Sequence, residues 1–422
     1  MTLLDCVGLG INGIIGSGIF LLPANVFAKA GGASWAAWFA IGGVCVLVGL
    51  CFGEAAGMTE RNGGPYAYAR DAFGDWTAVG VGWMAFVATL FSYGAVARAV
   101  GRNLSYLVPS LGNQAGQVSV AVAVIVTLAA INIRGVKPGA IASDLFSGAK
   151  LIPILFFVAV GLFFVDWSRL SLPAPSGATG GAALRLGGLA ALFACTGFEY
   201  VPVPAGETGN PRRNVPLALI FSLSGAILLY ALVQVVFVGT HPHPASAVRP
   251  LAEAAATFSG AWAGRFVAAG AVVSAIGFLA GTALVAPRYI SALGDDGALP
   301  RVLARRHPRY GTPQVAIWLS ALIASLLAAF ADFEKLSDLN NAAVFAQYVP
   351  TCIAVLVLRR TRPEAKRGFV LPWGPVIPIL ATLGCLLFLT GINKDDAIFS
   401  VEMLVVGLVL HALYRRTRAA VA

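Results

Sequence analysis

The stretch from Val7 to Phe27 reads VGLGINGIIGSGIFLLPANVF, and the fold turns on it. It is apolar and long enough to cross a bilayer, which takes about 20 residues of helix, yet its centre holds Gly13, Gly16, Ser17 and Gly18. These are poor helix formers. Lipid offers no partner for a bare N–H or C=O, so unwound backbone survives at membrane depth only where protein or a polar cavity surrounds it. A second stretch, Leu186 to Pro204 (LGGLAALFACTGFEYVPVP), repeats the pattern with Thr196, Gly197 and Glu199 at its centre. Two interrupted spans in corresponding places of two halves point to a ligand site at the membrane midplane.

Hydrophobic residues make up 58% of the 422-residue chain and charged residues 11%, with a mean hydropathy of +0.81. Such a composition excludes an ordinary soluble domain. It predicts an all-α polytopic membrane protein with 12 transmembrane helices, at 5–27, 33–57, 74–107, 116–133, 143–165, 186–209, 215–240, 256–288, 313–331, 339–358, 373–391 and 398–414. The first span opens with Asp5 and lacks a small-residue cleavage site, so it reads as a retained helix and not as a signal peptide. With the N-terminus in the cytoplasm, most of the 29 Lys and Arg residues fall inside, among them Arg301, Arg305, Arg306, Arg309, Arg359, Arg360 and Arg415. That asymmetry obeys the positive-inside rule and puts both termini of a multi-pass inner-membrane protein in the cytoplasm. Anionic lipid accounts for the net charge of +10 without a nucleic-acid partner.

The six cysteines lie in or beside predicted spans and read as small apolar packing residues, with Cys195 set apart by its place beside the second interruption. His241 and His243 share one loop with no further ligand at metal-binding spacing, so no metal site, cofactor or catalytic cluster is expected. No phosphate-cradling GxxxxGK[ST] motif is present, which leaves an ion gradient as the energy source.

Ten spans divide into two sets of five, 1–165 and 186–358, each opening with its interrupted helix, and 373–414 supplies two peripheral helices. Five is odd, so two such units in series have opposite orientations, giving a 5+5 inverted repeat within one transmembrane domain. Short tags then carry a resemblance. Gly16-Ser17-Gly18-Ile19-Phe20 is similar to the first-helix signature of the amino acid–polyamine–organocation superfamily, and Glu60 to Tyr68 (ERNGGPYAY) resembles its second loop. Gly197-Phe198-Glu199 with Glu207 and Asn210 to Pro216 resembles the sixth helix and its exit, and Asp295 to Pro300 (DDGALP) the end of the eighth. The resemblance implies a leucine-transporter-like fold with discontinuous helices 1 and 6, and secondary active transport of amino acids.

The residues suit that substrate. A free amino acid carries a carboxylate and an ammonium, and unwound helix supplies partners for both: amides at Gly16, Ser17 and Gly18 for the anion, carbonyls near Ile14, Phe193, Cys195 and Thr196 for the cation. Close packing through small residues is the competing account of the glycines. The side chains of Cys195 and Thr196 are weaker candidates than their backbone, and Phe193 reads as an aromatic gate or as packing. Alignment through Asp295-Asp296-Gly297 puts Thr282 where a relative specialised for arginine and agmatine has tryptophan, which implies neutral amino acids.

Lys150 and Glu199 are ionisable groups inside predicted spans, where a charge is costly and usually functional. The resemblance places Lys150 where sodium sits in sodium-coupled relatives, implying proton coupling; the alternative is a lysine snorkelling to the interface. Glu199 reads as a proton-sensitive gate or a hydrogen-bond hub, and Glu54, Asp144 and Glu207 as salt-bridge partners. The expectation is proton-coupled uptake of neutral amino acids, with the proton as coupling ion and no evident partner subunit. An amino acid or amine exchanger and a non-transporting amino acid sensor on the same scaffold are the alternatives.

Overall fold

The computed structural model describes residues 2–58, 64–135, 139–200, 211–364 and 369–421, and among these the architecture is all helical. The helices are α1 (Leu3–Ile14), α2 (Gly18–Leu21), α3 (Pro23–Ala30), α4 (Ser34–Met58), α5 (Pro65–Phe73), α6 (Asp75–Leu107), α7 (Gln114–Ile133) and α8 (Gly139–Gly161). After a linker come α9 (Gly180–Cys195), α10 (Pro211–Thr240), α11 (Pro250–Ser259), α12 (Ala261–Asp295), α13 (Gln314–Phe330), α14 (Phe333–Thr361), α15 (Val376–Leu389) and α16 (Lys394–Val421). Seven helical stretches are long and apolar enough to cross a membrane; five further apolar helices, at Cys6–Leu21, Lys150–Phe164, Gly180–Cys195, Gln314–Phe330 and Val376–Leu389, are shorter.

Burial sorts these helices into centre and periphery. The most apolar window of α6 is 94% buried, whereas that of α16, at hydropathy 2.0, is only 11% buried. In water, Val401, Val405 and Leu413 on α16 and Leu383 and Leu387 on α15 would form a costly apolar surface. In lipid the same surface is solvated, so α15 and α16 read as the outer wall and α6, packed on α12 and α14, as the pillar.

The first predicted span is divided in three. Ile15, Gly16 and Ser17 leave the helix, α2 makes one turn, and Pro23, which has no N–H to give, opens α3. Two helices were not predicted as separate elements. α5 follows Gly64 and opens at Pro65; α11 begins at Pro250 and is cut from α12 by Gly260 at φ 83°, a left-handed value that halts a helix. The predicted span 256–288 therefore merges the end of α11 with α12. α1 packs on α8, α10 and α12, and α2 on α9 and α11, so the first break lies between helices from both halves of the chain.

Candidate functional site

At the first break the chain splits its peptide groups between two fates. The Gly16 amide turns back to the Ile14 carbonyl at 3.0 Å. The amides of Ser17 and Gly18 have no backbone acceptor among the described residues. Beside them the Ser17 hydroxyl is fully buried and unpartnered there. A buried hydroxyl without a partner is a costly exception in a native interior, and with two adjacent amides it makes a donor cluster of the kind that receives an anion.

The carbonyls of this break are held by side chains from distant helices. Lys150 on α8 is fully buried and its Nζ donates to Asn12 Oδ1 at 2.6 Å, to the Ile15 carbonyl at 2.8 Å and to the Asn12 carbonyl at 3.0 Å. Ser274 on α12 donates to the Gly16 carbonyl at 3.0 Å, and Tyr230 on α10 to the Ile14 carbonyl at 3.1 Å. The Lys150 amine thus sits among three acceptors in the notch of an unwound helix. Its buried Nζ does not snorkel.

The second break is held by its own neighbours. α9 ends at Cys195, Thr196 is extended, and Thr196 Oγ1 donates to the Phe193 carbonyl at 2.8 Å. The Gly197 amide donates to Glu199 Oε2 at 2.9 Å, and the Tyr348 hydroxyl on α14 reaches the same oxygen at 3.3 Å. Gly197 has φ 101°, and a Cβ there would fall on the Gly13 carbonyl, so the two breaks touch backbone to backbone. A Cβ on Gly18 would lie 2.7 Å from that of Ala194. Small residues here serve contact between the breaks as well as unwinding.

The structure brings Ile14, Gly16, Ser17, Gly18, Phe193, Cys195 and Thr196 together at this junction, all of them buried. Phe193 meets Phe333 of α14 edge to face at 5.6 Å. Thr282 is also buried, but its hydroxyl turns to the Phe278 carbonyl of its own helix at 3.1 Å. Cys195 lies within hydrogen-bonding reach of the Cys45 thiol. Glu54, buried on α4, forms a two-pronged pair with Arg359 at 2.6 and 2.7 Å and accepts from the Leu371 amide at 2.7 Å. His241, read from sequence as a plain loop residue, is buried and 3.4 Å from Glu253. Glu60, Glu207 and Asn210 lie outside the described residues, as does the Asp144 side chain.

Asn12, Tyr230, Ser274, Phe278 and Tyr348 complete the site and escape sequence reading. The Phe278 ring covers Gly16, where an added Cβ would stand 3.0 Å from it. A polar residue inside an apolar span is the one signal that Asn12 and Ser274 offered; the aromatics gave none.

Comparison with known proteins identifies the family. The sequence model of a family described as "Amino acid permease" matches residues 1–406. The chain is 29% identical to the methylthioribose transporter of Bacillus subtilis, across 99% of this chain and 93% of that protein. It is 26% identical to the branched-chain amino acid permease BcaP of the same organism (98% and 92% covered) and 30% identical to its serine/threonine exchanger SteT (96% and 94% covered). Members of this family are membrane transporters and not enzymes. With a family match over nearly its whole length and a helical, lipid-facing architecture, the chain belongs to the amino acid permease family of multi-pass membrane proteins.

Proposed function

We propose that this protein is a secondary active transporter that takes up neutral amino acids with protons by alternating access, through 12 spans arranged as a 5+5 inverted repeat with both termini in the cytoplasm of a cell with an inner membrane. The substrate carboxylate is received by the Ser17 and Gly18 amides and the Ser17 hydroxyl; the ammonium goes to the backbone around Cys195 and Thr196. The observation that carries the reading is Lys150, a fully buried amine lodged in the notch of the first break. Gain and loss of its proton changes the charge that holds Asn12 and Ile15, and so biases the outward- and inward-open states. A neutral substrate is favoured because Glu199, at the second break, is engaged by the Gly197 amide and Tyr348, leaving no uncommitted carboxylate at the junction among the described residues. Relatives named for branched-chain amino acids and for serine and threonine fit this reading, while others are named for cationic amino acids, so arginine and lysine belong among the candidates tested.

The test is uptake of radiolabelled amino acids into proteoliposomes, with candidates chosen by thermal shift. External acidification is expected to stimulate uptake and a proton gradient to drive accumulation; equal uptake with and without the gradient overturns symport. The likeness to a serine/threonine exchanger supports a second reading, obligatory exchange. Counterflow without net uptake selects it.

A further inference from the structure

An apolar crevice of about 240 Å3 opens between α6, α12, α13 and α16, away from the helix breaks, with Phe86, Ile290, Leu303, Leu319, Ile323 and Leu410 among its walls. Every lining residue is apolar, and at about 240 Å3 the crevice has room for part of one hydrocarbon chain lying between the helices. Its walls are pinned. Trp83 donates its indole N–H to the Met403 carbonyl at 2.7 Å, tying α6 to α16. Buried His411, stacked edge-on against Trp76 at 4.9 Å, bonds the Ala298 carbonyl through Nδ1 at 2.8 Å and so holds Leu299 against the wall that Leu410 begins.

The mouth of this crevice is cationic. Leu299, Pro300 and Leu303 line the groove, and Leu303 sits in the 3-10 turn Arg301–Ala304, with Arg301 at its start and Arg305 just after it, both exposed. The nearby acids are already taken: Asp295 pairs with Arg306 at 3.4 Å, and Asp296 with Arg70 and with the Tyr66 hydroxyl at 2.9 Å. Among the described residues Arg301 and Arg305 have no acidic partner. A preformed apolar slot with two uncommitted guanidinium groups at its rim matches one molecular shape, a hydrocarbon chain below a phosphate. We propose that the crevice binds a single anionic phospholipid, its acyl chain between α6, α12, α13 and α16 and its phosphate between Arg301 and Arg305.

The full-length protein in detergent, titrated in native mass spectrometry, tests this. Phosphatidylglycerol is expected to add one molecule per chain at least tenfold more tightly than phosphatidylcholine. Each arginine contributes about fivefold, so R301Q/R305Q weakens the adduct by about 25-fold, while R301K/R305K, which keeps the charges, stays within about threefold. Thermal shift with inorganic phosphate, the other source of the anion, is expected to show no stabilisation. Equal binding of both lipids, an undiminished adduct in R301Q/R305Q, phosphate stabilising as well as lipid, or dimers of the chain in place of lipid adducts would each overturn the proposal. Should the double Gln variant fail to fold, the headgroup comparison on the unaltered protein and the Lys variant still decide it.

Discussion

The two helix breaks look alike in sequence and are secured in opposite ways. At the first, the carbonyls of Asn12, Ile14, Ile15 and Gly16 are bonded by Lys150, Tyr230 and Ser274, from α8, α10 and α12. At the second, among the described residues, the Phe193 carbonyl and the Gly197 amide are satisfied by Thr196 and Glu199, within three residues of them, and Tyr348 of α14 bonds the Glu199 carboxylate. A break braced from afar shifts when any of three helices moves; one braced from within travels as a unit. Under the proposed transport cycle, this difference would have the first break transmit ion occupancy to the bundle and the second serve as a fixed half of the substrate seat.

Removing the long-range brace is the harshest way to test that contrast. Lys150→Ala strips the donor from buried acceptors on Asn12 and Ile15, at about 1–3 kcal/mol for each group left bare, and gradient-driven uptake in proteoliposomes is expected to fall by roughly 100-fold. Glu199→Gln keeps an acceptor for the Gly197 amide, so its uptake is expected to remain within about threefold with an unshifted pH profile; a Gln variant that loses its response to external pH would instead place the coupled proton at the second break.

Gly197→Ala attacks the point where the breaks touch. A side chain at φ 101° is strained by about 1–2 kcal/mol, and its Cβ must displace the Gly13 carbonyl. Substrate-induced thermal stabilisation is expected to vanish while the folded protein persists in size-exclusion chromatography; intact binding would show that backbone contact between the breaks is dispensable. The gentlest comparison sets Tyr230→Phe against Thr196→Val. The first deletes a buried hydrogen bond spanning 216 residues and is expected to lower affinity about fivefold, the equivalent of about 1 kcal/mol. The second deletes a local bond whose acceptor still has the Thr196 amide at 3.4 Å, and a change of no more than about twofold is expected. Equal losses in radioligand binding would erase the distinction.

What the sequence displays of this site follows the same division. Interruption is a local property, written in Gly16-Ser17-Gly18 and Thr196-Gly197, and so were the self-contained partners Thr196 and Glu199. Lys150 stood out because a charge among apolar residues needs a reason at any depth. Tyr230 and Phe278 were invisible, and Ser274 showed only as a polar residue in an apolar span, because their roles depend on the register at which α10 and α12 cross α1, which no local pattern encodes. The same holds for Glu54, whose acidity was plain but whose partner Arg359 lies 305 residues away. α5 and α11 were missed for another reason. Short helices between long apolar runs yield no hydropathy peak of their own, and only Gly260 marked where α11 stops.

The bracing of the first break also dictates an order of assembly. The ribosome delivers α1 long before Lys150, Tyr230 and Ser274 exist, so the carbonyls of Asn12, Ile14, Ile15 and Gly16 meet the membrane with none of these donors in place. Nascent chains that stop short of residue 274 hold an amino-terminal segment whose peptide groups remain dependent on water, translocon or chaperone. The last of these donors to be synthesised sits on α12, and its arrival is what allows the opening helix to settle.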